Sequence, residues 1–423
     1  MRKLLLVFII AATSIENFAQ PAAPVFKDAI ARNRERIYNH LVQNTITKNL
    51  SVPLTDSTED MWEDAFYALE LIRQKNIWVN QKVKFAVDDM LHRSIHFQRS
   101  LLELLFSNYQ EVYSPQVKTL FENTIDPKIF AIAGEYLLNA INTSAEKNAL
   151  LILAKKRSGI FPESPHSSQL IHNIIHYGKK SITPSFQSFL KKDYLKGNTL
   201  MISFQRMNRN YPGLVMVRDS SGNFIKNSNS YFAVPQLARS ISNLPGYITN
   251  GNTPEGIFRM DGFDISRISM IGPTNNVQLT MPFEFNAFHF YRDSTLSDTI
   301  GNITLYKNLL PKNFRNHYPM HQSFYAGKAG RSEIIAHGTT IDPSFYTGMP
   351  YYPLTPTIGC LCTKEIWSME NGKRLESNQQ LLVDAITEAG GPYGYAIVIN
   401  IDDKQSAVTL EDILPFLKLA GQK

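Results

Sequence analysis

Apolar residues in the first half of the chain recur at intervals of three and four. Trp62, Phe66, Leu69 and Ile72 share one helical face, and Leu101, Leu104, Leu105 and Asn108 continue the pattern. Ser114-Pro115 and Asp126-Pro127 each pair a capping residue with a proline at the first helical position. After Asp126, the residues Phe130, Gly134, Leu137 and Ile141 mark another apolar stripe. From Pro21 to about Tyr194 the chain therefore reads as helices of about 15 residues separated by brief caps. That suggests a compact bundle or a short α-solenoid, although no clean repeat period is present.

The period changes near Tyr211. Leu214-Val215-Met216-Val217, the turn residues Asp219 to Asn223, and Phe224-Ile225 predict a hairpin. Tyr231 to Val234 reads as a further strand or a loop, and Ile268 to Pro273 with Val277 to Leu279 as a strand pair. Pro282 to Gly330 reads as a long loop whose crowded aromatics (Phe283, Phe285, Phe288, Phe290, Tyr291) belong to the core. Ile334 to Ala336 forms a short strand carrying His337 at its end. A loop with Pro350, Pro353 and Pro356 then feeds the turn Thr357-Ile358-Gly359-Cys360. Glu365 to Met369 and Asn378 to Glu388 read as helices, Tyr395 to Ile401 as a strand, and Thr409 as the cap of a helix from Leu410 to Leu419. The expected class is α+β. A helical domain covers 20–200, a mostly-β domain 201–403, and a C-terminal helix 404–423. A fragment from Gln205 to Asp403 is expected to fold alone.

A chain of 423 residues with 43% hydrophobic and 19% charged content is long enough for two cored domains. Its net charge of +6 is mild, and no Lys/Arg block or aromatic–basic module points to nucleic acid. Arg2-Lys3, the apolar run Leu4 to Ala12, and Asn17-Phe18-Ala19 before Gln20 have the form of a signal peptide over 1–19. The run is too short to span a bilayer, no later stretch approaches that length, and no cysteine near the cleavage point offers a lipid anchor. The expectation is an exported protein, soluble in the periplasm or outside the cell, with no transmembrane segment.

Export gives meaning to the two cysteines. Cys360 and Cys362 are separated by a single residue, and a bridge between them would close a strained ring. Cys360 is instead read as a free nucleophile, and Cys362 as incidental or a redox modulator. A histidine and a cysteine on separate elements meet the need of thiol catalysis: the imidazole takes the proton and the thiolate attacks a carbonyl. The glycine before Cys360 permits a tight turn with amide N–H groups near the sulfur. His337 is expected to lower the Cys360 pKa and Cys362 to titrate normally. His92 with His96, His172 with His176, and His317 with His321 are four apart but lack a third ligand, so they read as polar surface residues. No metal or cofactor is implied.

Three pieces in order resemble the L,D-transpeptidase (YkuD-like) catalytic domain: Thr253-Pro254-Glu255-Gly256-Ile257-Phe258, Ile271-Gly272-Pro273 through Pro282, and His337-Gly338-Thr339 with Thr357-x-Gly359-Cys360. The resemblance covers about Met201 to Asp403. It departs from the family's S-H-G-C-x-R form, with Ile358 in place of the second histidine and Cys362 in place of the arginine. The gap between His337 and Cys360 is also longer. The sequence looks closer to a branch related to cell-wall hydrolases. The resemblance implies acyl transfer on peptidoglycan stem peptides, with Cys360 as nucleophile, His337 as base and the Gly338 carbonyl orienting the imidazole. It places the oxyanion hole at the Gly359 and Cys360 amides, with Thr357 supporting the turn. Arg331 either meets a substrate carboxylate or pairs with Glu333, and Tyr325 and Tyr346 are candidates for lining a groove. The alternatives are a hydrolase of the same fold and a non-catalytic wall-binding module, with the helical half as a platform for a protein partner.

Overall fold

The computed structural model describes residues 24–179, 183–228, 230–296 and 302–422. The signal peptide expected over 1–19 lies outside the described residues. Eight helices form the first body: α1 Ala31–His40, α2 Glu59–Ile72, α3 Ile77–Asp89, α4 Ile95–Asn108, α5 Ser114–Asn123, α6 Pro127–Asn139, α7 Ser144–Ser158 and α8 Pro165–His176. The apolar stripes read from the sequence face inward. Trp62, Phe66 and Leu69 of α2 pack with Leu101, Leu104 and Leu105 of α4 in one cluster. Asp126 caps α6 by accepting from the Lys128 and Ile129 amides at 2.9 and 2.8 Å. Ser114 does not cap α5: Tyr113 holds that position, and the Ser114 hydroxyl donates to the Glu111 carbonyl. None of the helices among the described residues is long and apolar enough to cross a membrane.

The second body is a closed eight-stranded barrel. Its strands are β1 Leu200–Arg206, β2 Gly213–Arg218, β3 Val234–Leu237, β4 Gly256–Asp264, β5 Asn276–Thr280, β6 Ile334–Gly338, β7 Leu361–Thr363 and β8 Tyr395–Asp402. Around the barrel they run β1-β8-β4-β5-β6-β7-β3-β2. The β1–β8 and β6–β7 pairs are parallel, and the remainder antiparallel. Alternation along each strand sorts side chains between two faces. Met201, Val215, Phe258, Val277, Ala336, Leu361 and Val398 fill the interior together with Leu382 and Ile386 of α9 Asn378–Glu388. On the outside, Ile202, Phe204, Ile397 and Ile399 pack against Phe189, Tyr306 and Phe314, and against Ile413 and Leu417 of α10 Leu410–Leu419.

Several local readings are overturned. Ile268 to Ile271 is a turn, and the strand paired with β5 on that side is β4. Glu365–Trp367 is a strand paired with Arg374–Ser377, not a helix. The segment 282–330 contains the short helices Ala287–Tyr291, Ile303–Leu309 and Gln322–Lys328. Of its aromatics Phe290 is core, whereas Phe285 and Phe288 are exposed. In each case too few residues were present for a period to show, and tertiary pairing decided the outcome.

The two bodies share apolar packing. Ile241, Leu244, Tyr247 and Ile248, from the loop between β3 and β4, are buried in the helical cluster. Residues 186–190, before β1, belong to the barrel's outer layer. Burying each such side chain contributes about 1.5–3 kcal/mol. The fragment from Gln205 to Asp403 also cuts away Leu200 to Phe204, which pair with both β8 and β2. That fragment should therefore show no cooperative thermal transition by circular dichroism, whereas one retaining residues 24–422 should.

Candidate functional site: a cysteine turn beside a buried histidine

Cys360 ends a turn held by Thr357, Thr253 and a glycine at 359. Gly359 has φ +123°, and a Cβ there would lie 2.2 Å from Nη2 of Arg331 and 2.8 Å from the Gly251 carbonyl oxygen. Glycine is thus required both by conformation and by space. The Thr357 hydroxyl accepts from the Gly359 amide at 3.0 Å and donates to the Cys360 carbonyl at 2.9 Å. Thr253 reaches in from the start of β4, its hydroxyl donating to the Gly359 carbonyl at 2.9 Å. Thr357 thus bridges the two ends of the turn through its hydroxyl. Gly359 differs from the expected role: its amide is held by Thr357 and is not presented to a substrate.

Arg331 lies beneath this turn. Its guanidinium donates to the carbonyls of Asn252 and Gly251, each at 2.7 Å, to Gly359 at 3.3 Å, and to Gly246. Burial holds its pKa down to about 10, so it stays charged at neutral pH. The strand alternation that placed Arg331 beside Glu333 and His337 fails because Glu333 has φ +61° and β6 begins only at Ile334. Neither the Glu333 salt bridge nor the free substrate-binding cation is found.

His337 and Cys360 both project from the barrel's outer face, since Ala336 and Leu361 fill the interior. In the parallel β6–β7 pair His337 lies opposite Cys362. Cys360 is therefore displaced by two residues, about 7 Å, along the strand direction. Both side chains line one cavity. His337 Nδ1 is bonded to the Gly338 carbonyl, which leaves Nε2 as the acceptor. Burial pushes the His337 pKa down to about 4, so the ring is neutral at pH 7. The Cys360 thiol contacts the Glu333 carbonyl at 3.8 Å and is 8% exposed. Its pKa is raised by burial, although an amide N–H from Ile335 and the charge of Arg331 oppose that rise. The expected lowering by His337 is not found, because a neutral, desolvated ring supplies no positive charge.

Other sequence candidates lie elsewhere. Cys362 is a free, fully buried thiol packed with Leu237, Tyr346, Tyr351 and Leu354, and burial raises its pKa to about 12. It does not titrate normally, and it has neither a disulfide partner nor solvent access for redox chemistry. Tyr346 belongs to that same apolar cluster, and Tyr325 stacks on Tyr318 with ring centroids 5.5 Å apart; neither lines the cavity. His321 is buried with Nε2 against the Arg315 carbonyl at 3.0 Å and is not a surface residue, whereas His172, stacked between His176 and Tyr318, is half-buried and His176 is exposed. Among the described residues no group of three His, Cys, Asp or Glu side chains could hold a metal ion.

Three contributors were not visible in the sequence. Tyr67 of α2 lines the cavity and donates to Met270 Sδ at 3.6 Å. Asn250 is held by Glu103 of α4 at 3.0 Å and Tyr247 by Glu135 of α6 at 2.6 Å, which fixes the loop whose carbonyls receive Arg331. Glu365 packs so tightly on Gly338 that a Cβ there would lie 2.2 Å from its carboxyl carbon. Its Oε1 accepts from Thr274 at 2.6 Å and Ser377 at 2.5 Å. All depend on contacts between residues about 90 or more positions apart, for which local spacing gives no signal, apart from the nearer Glu365 pairs.

Two outcomes follow from this electrostatic setting. Arg331→Met leaves four carbonyls without their donor and should lower stability by at least about 3 kcal/mol in denaturant melts, with Arg331→Lys intermediate. Alkylation of Cys360 should rise with pH through a midpoint above the free-cysteine value of about 8.5, because burial favours the protonated thiol. Cys362 should label only on unfolding. For both thiols the folded-state pKa exceeds the unfolded one, so their stabilising contribution is complete below that free value and is lost as pH rises through the folded value.

Comparison with known proteins finds no matching family model, no matching curated protein and no matching solved structure.

Proposed function

We propose that the protein is a cysteine-dependent acyl-transfer enzyme of the L,D-transpeptidase type, acting on peptidoglycan stem peptides. The observation that carries the reading is the placement of His337 on β6 and of Cys360 in the turn that leads into the adjacent parallel strand β7, both opening on one cavity, with the imidazole neutral and oriented through Gly338. The substrate class rests on the resemblance of the three motifs and on the leader-like N-terminus, which fits an exported protein.

On this reading the resting state holds the proton on sulfur. The reaction requires the Cys360 side chain to turn from the Glu333 carbonyl toward Nε2 of His337, which takes the thiol proton as Sγ bonds to the substrate carbonyl carbon. The Cys360 amide serves the developing oxyanion, the Gly359 amide being bonded to Thr357. Arg331 provides the fixed positive charge near the thiolate. The C–N bond then breaks, the departing amine takes the proton from His337, and the thioester passes to a second amine or to water. The first acceptor gives a crosslink and the second gives hydrolysis. The helical body serves as the scaffold of the cavity wall and as a surface for a protein partner.

Cys360→Ala and His337→Ala should each abolish turnover, and the double variant should be no worse than either, since the two groups act as a unit. Ile358→His should keep activity within about tenfold, or about 1.4 kcal/mol in barrier, because the site is built without a polar side chain at that position. The assay is muropeptide composition after incubation with purified peptidoglycan, scoring crosslinked and hydrolysed products separately. Intact mass after exposure to a carbapenem should show an adduct that maps to Cys360. The acid limb of kcat/KM should lie near pH 4, where the His337 base protonates, and not near 6.5. Full activity in Cys360→Ala would end thiol catalysis as the explanation and leave the binding-module reading.

A further inference from the structure

A second cavity, of about 240 Å³, lies at the seam between the helical body and the barrel. It adjoins the one beside Cys360, and Tyr67, Met270 and Ile341 line both. Pockets that engulf a whole small ligand usually hold about 300–1,000 Å³, so this volume suits one residue-sized molecule. Phe26, Ile37, Leu41, Leu71, Ile341 and Phe345 supply apolar wall. Two groups of opposite charge, Asp28 and Arg34, line the same cavity, and no ion pair joins them. Arg34 Nη1 donates to Asp342 Oδ1 at 3.3 Å, an oxygen that also accepts from the Ser344 amide at 3.0 Å. Its Nε is buried without a hydrogen-bond partner, and Nη2, on the same edge of the guanidinium, has none among the described residues. That edge is one a carboxylate engages through two parallel bonds. The Asp28 carboxylate likewise has no partner among the described residues. Its backbone is nevertheless fixed. The amides of Phe26 and Ala31, on either side of it, donate to the carbonyls of Gly372 and Met369, each at 2.8 Å. The Phe26 ring lies edge-on to Trp367 with centroids 5.8 Å apart. Asp28 and Asp342 against Arg34 leave an excess of negative charge, which opposes a ligand carrying a carboxylate alone. A ligand that carries an ammonium as well satisfies both sides.

We propose that this cavity binds an apolar amino acid in its zwitterionic form, with the carboxylate on the Nε–Nη2 edge of Arg34, the ammonium on Asp28 and the side chain against the apolar wall. No bond is made or broken there, and the site stands whether or not Cys360 is a nucleophile. A bound amino acid touches Tyr67, Met270 and Ile341, the side chains that also wall the cavity beside Cys360.

The test is isothermal titration calorimetry of the full chain with leucine, each enantiomer in turn, the tighter one serving as reference. N-acetyl-leucine lacks the ammonium and leucinamide lacks the carboxylate. Each should bind at least about tenfold more weakly than leucine, since each leaves one charged side chain without its partner. Alanine keeps both charges but little apolar surface, and should also fall by at least about tenfold. Asp28→Asn and Arg34→Gln should each weaken leucine binding by at least about tenfold. Ile358→Ala, at a position that lines the cavity beside Cys360 and not this one, should leave it within about twofold. Circular dichroism melts check that each variant folds, and the ligand series on the unaltered chain decides the matter even where Arg34→Gln does not. Absence of binding by either enantiomer, equal binding of the N-acetyl or amide derivative, or unchanged affinity in Asp28→Asn would overturn the proposal. Titration reads binding and not turnover, so failure here leaves the acyl-transfer reading in place, and failure of that reading leaves this site.

Discussion

The buried guanidinium of Arg331 is the interaction on which the site depends. A cation with 3% exposure is tolerated only if its donors are satisfied, and here backbone carbonyls of two loops do so. One loop, around Gly246 to Asn252, belongs to the connection between β3 and β4; the other is the cysteine turn itself. Arg331 thereby ties the wall of the cavity to the turn that carries Cys360. The same contact demands a glycine at 359, where any side chain would displace the guanidinium.

The tie extends into the helical body. Glu103 and Glu135 hold Asn250 and Tyr247, and Ile241 to Ile248 are buried among the helices. Burial raises the Glu135 pKa to about 7, against the pull of its hydrogen bonds to Tyr247 and Asn173. Such buried carboxylates are retained where their bonds position something. Here they position the loop that receives Arg331, so the first half of the chain helps to define the geometry around Cys360.

The electrostatic balance at the site is that of a neutral pair. Desolvation acts on both partners, pushing the imidazole down to about 4 and the thiol up. At neutral pH the resting proton therefore stays on sulfur, and the proposed acyl transfer requires fixed groups that favour charge separation. Arg331 and the Ile335 amide are the fixed groups that favour the thiolate, and Gly338 favours the imidazolium. Cys362, two residues on and packed among Tyr346, Tyr351 and Leu354, has no opposing charge and is an apolar packing residue.

The sequence by itself determined the helical first half, the strand-rich character of the second, the strand at Tyr395–Asp402, and the helices Asn378–Glu388 and Leu410–Leu419 with its Thr409 cap. It also drew attention to His337 and Cys360 as a histidine and a cysteine on separate elements, with Gly338 and Thr357 added by the resemblance of the short motifs around them. Tertiary structure alone decided barrel closure, the strand identity of Glu365–Trp367, and the burial of Tyr346, Cys362 and His321. It also decided that Arg331 serves backbone carbonyls in place of a substrate. A residue's partner in these cases lies far away along the chain. Spacing encodes the period of a helix or a strand, but not which distant carbonyl, ring or carboxylate will arrive against it.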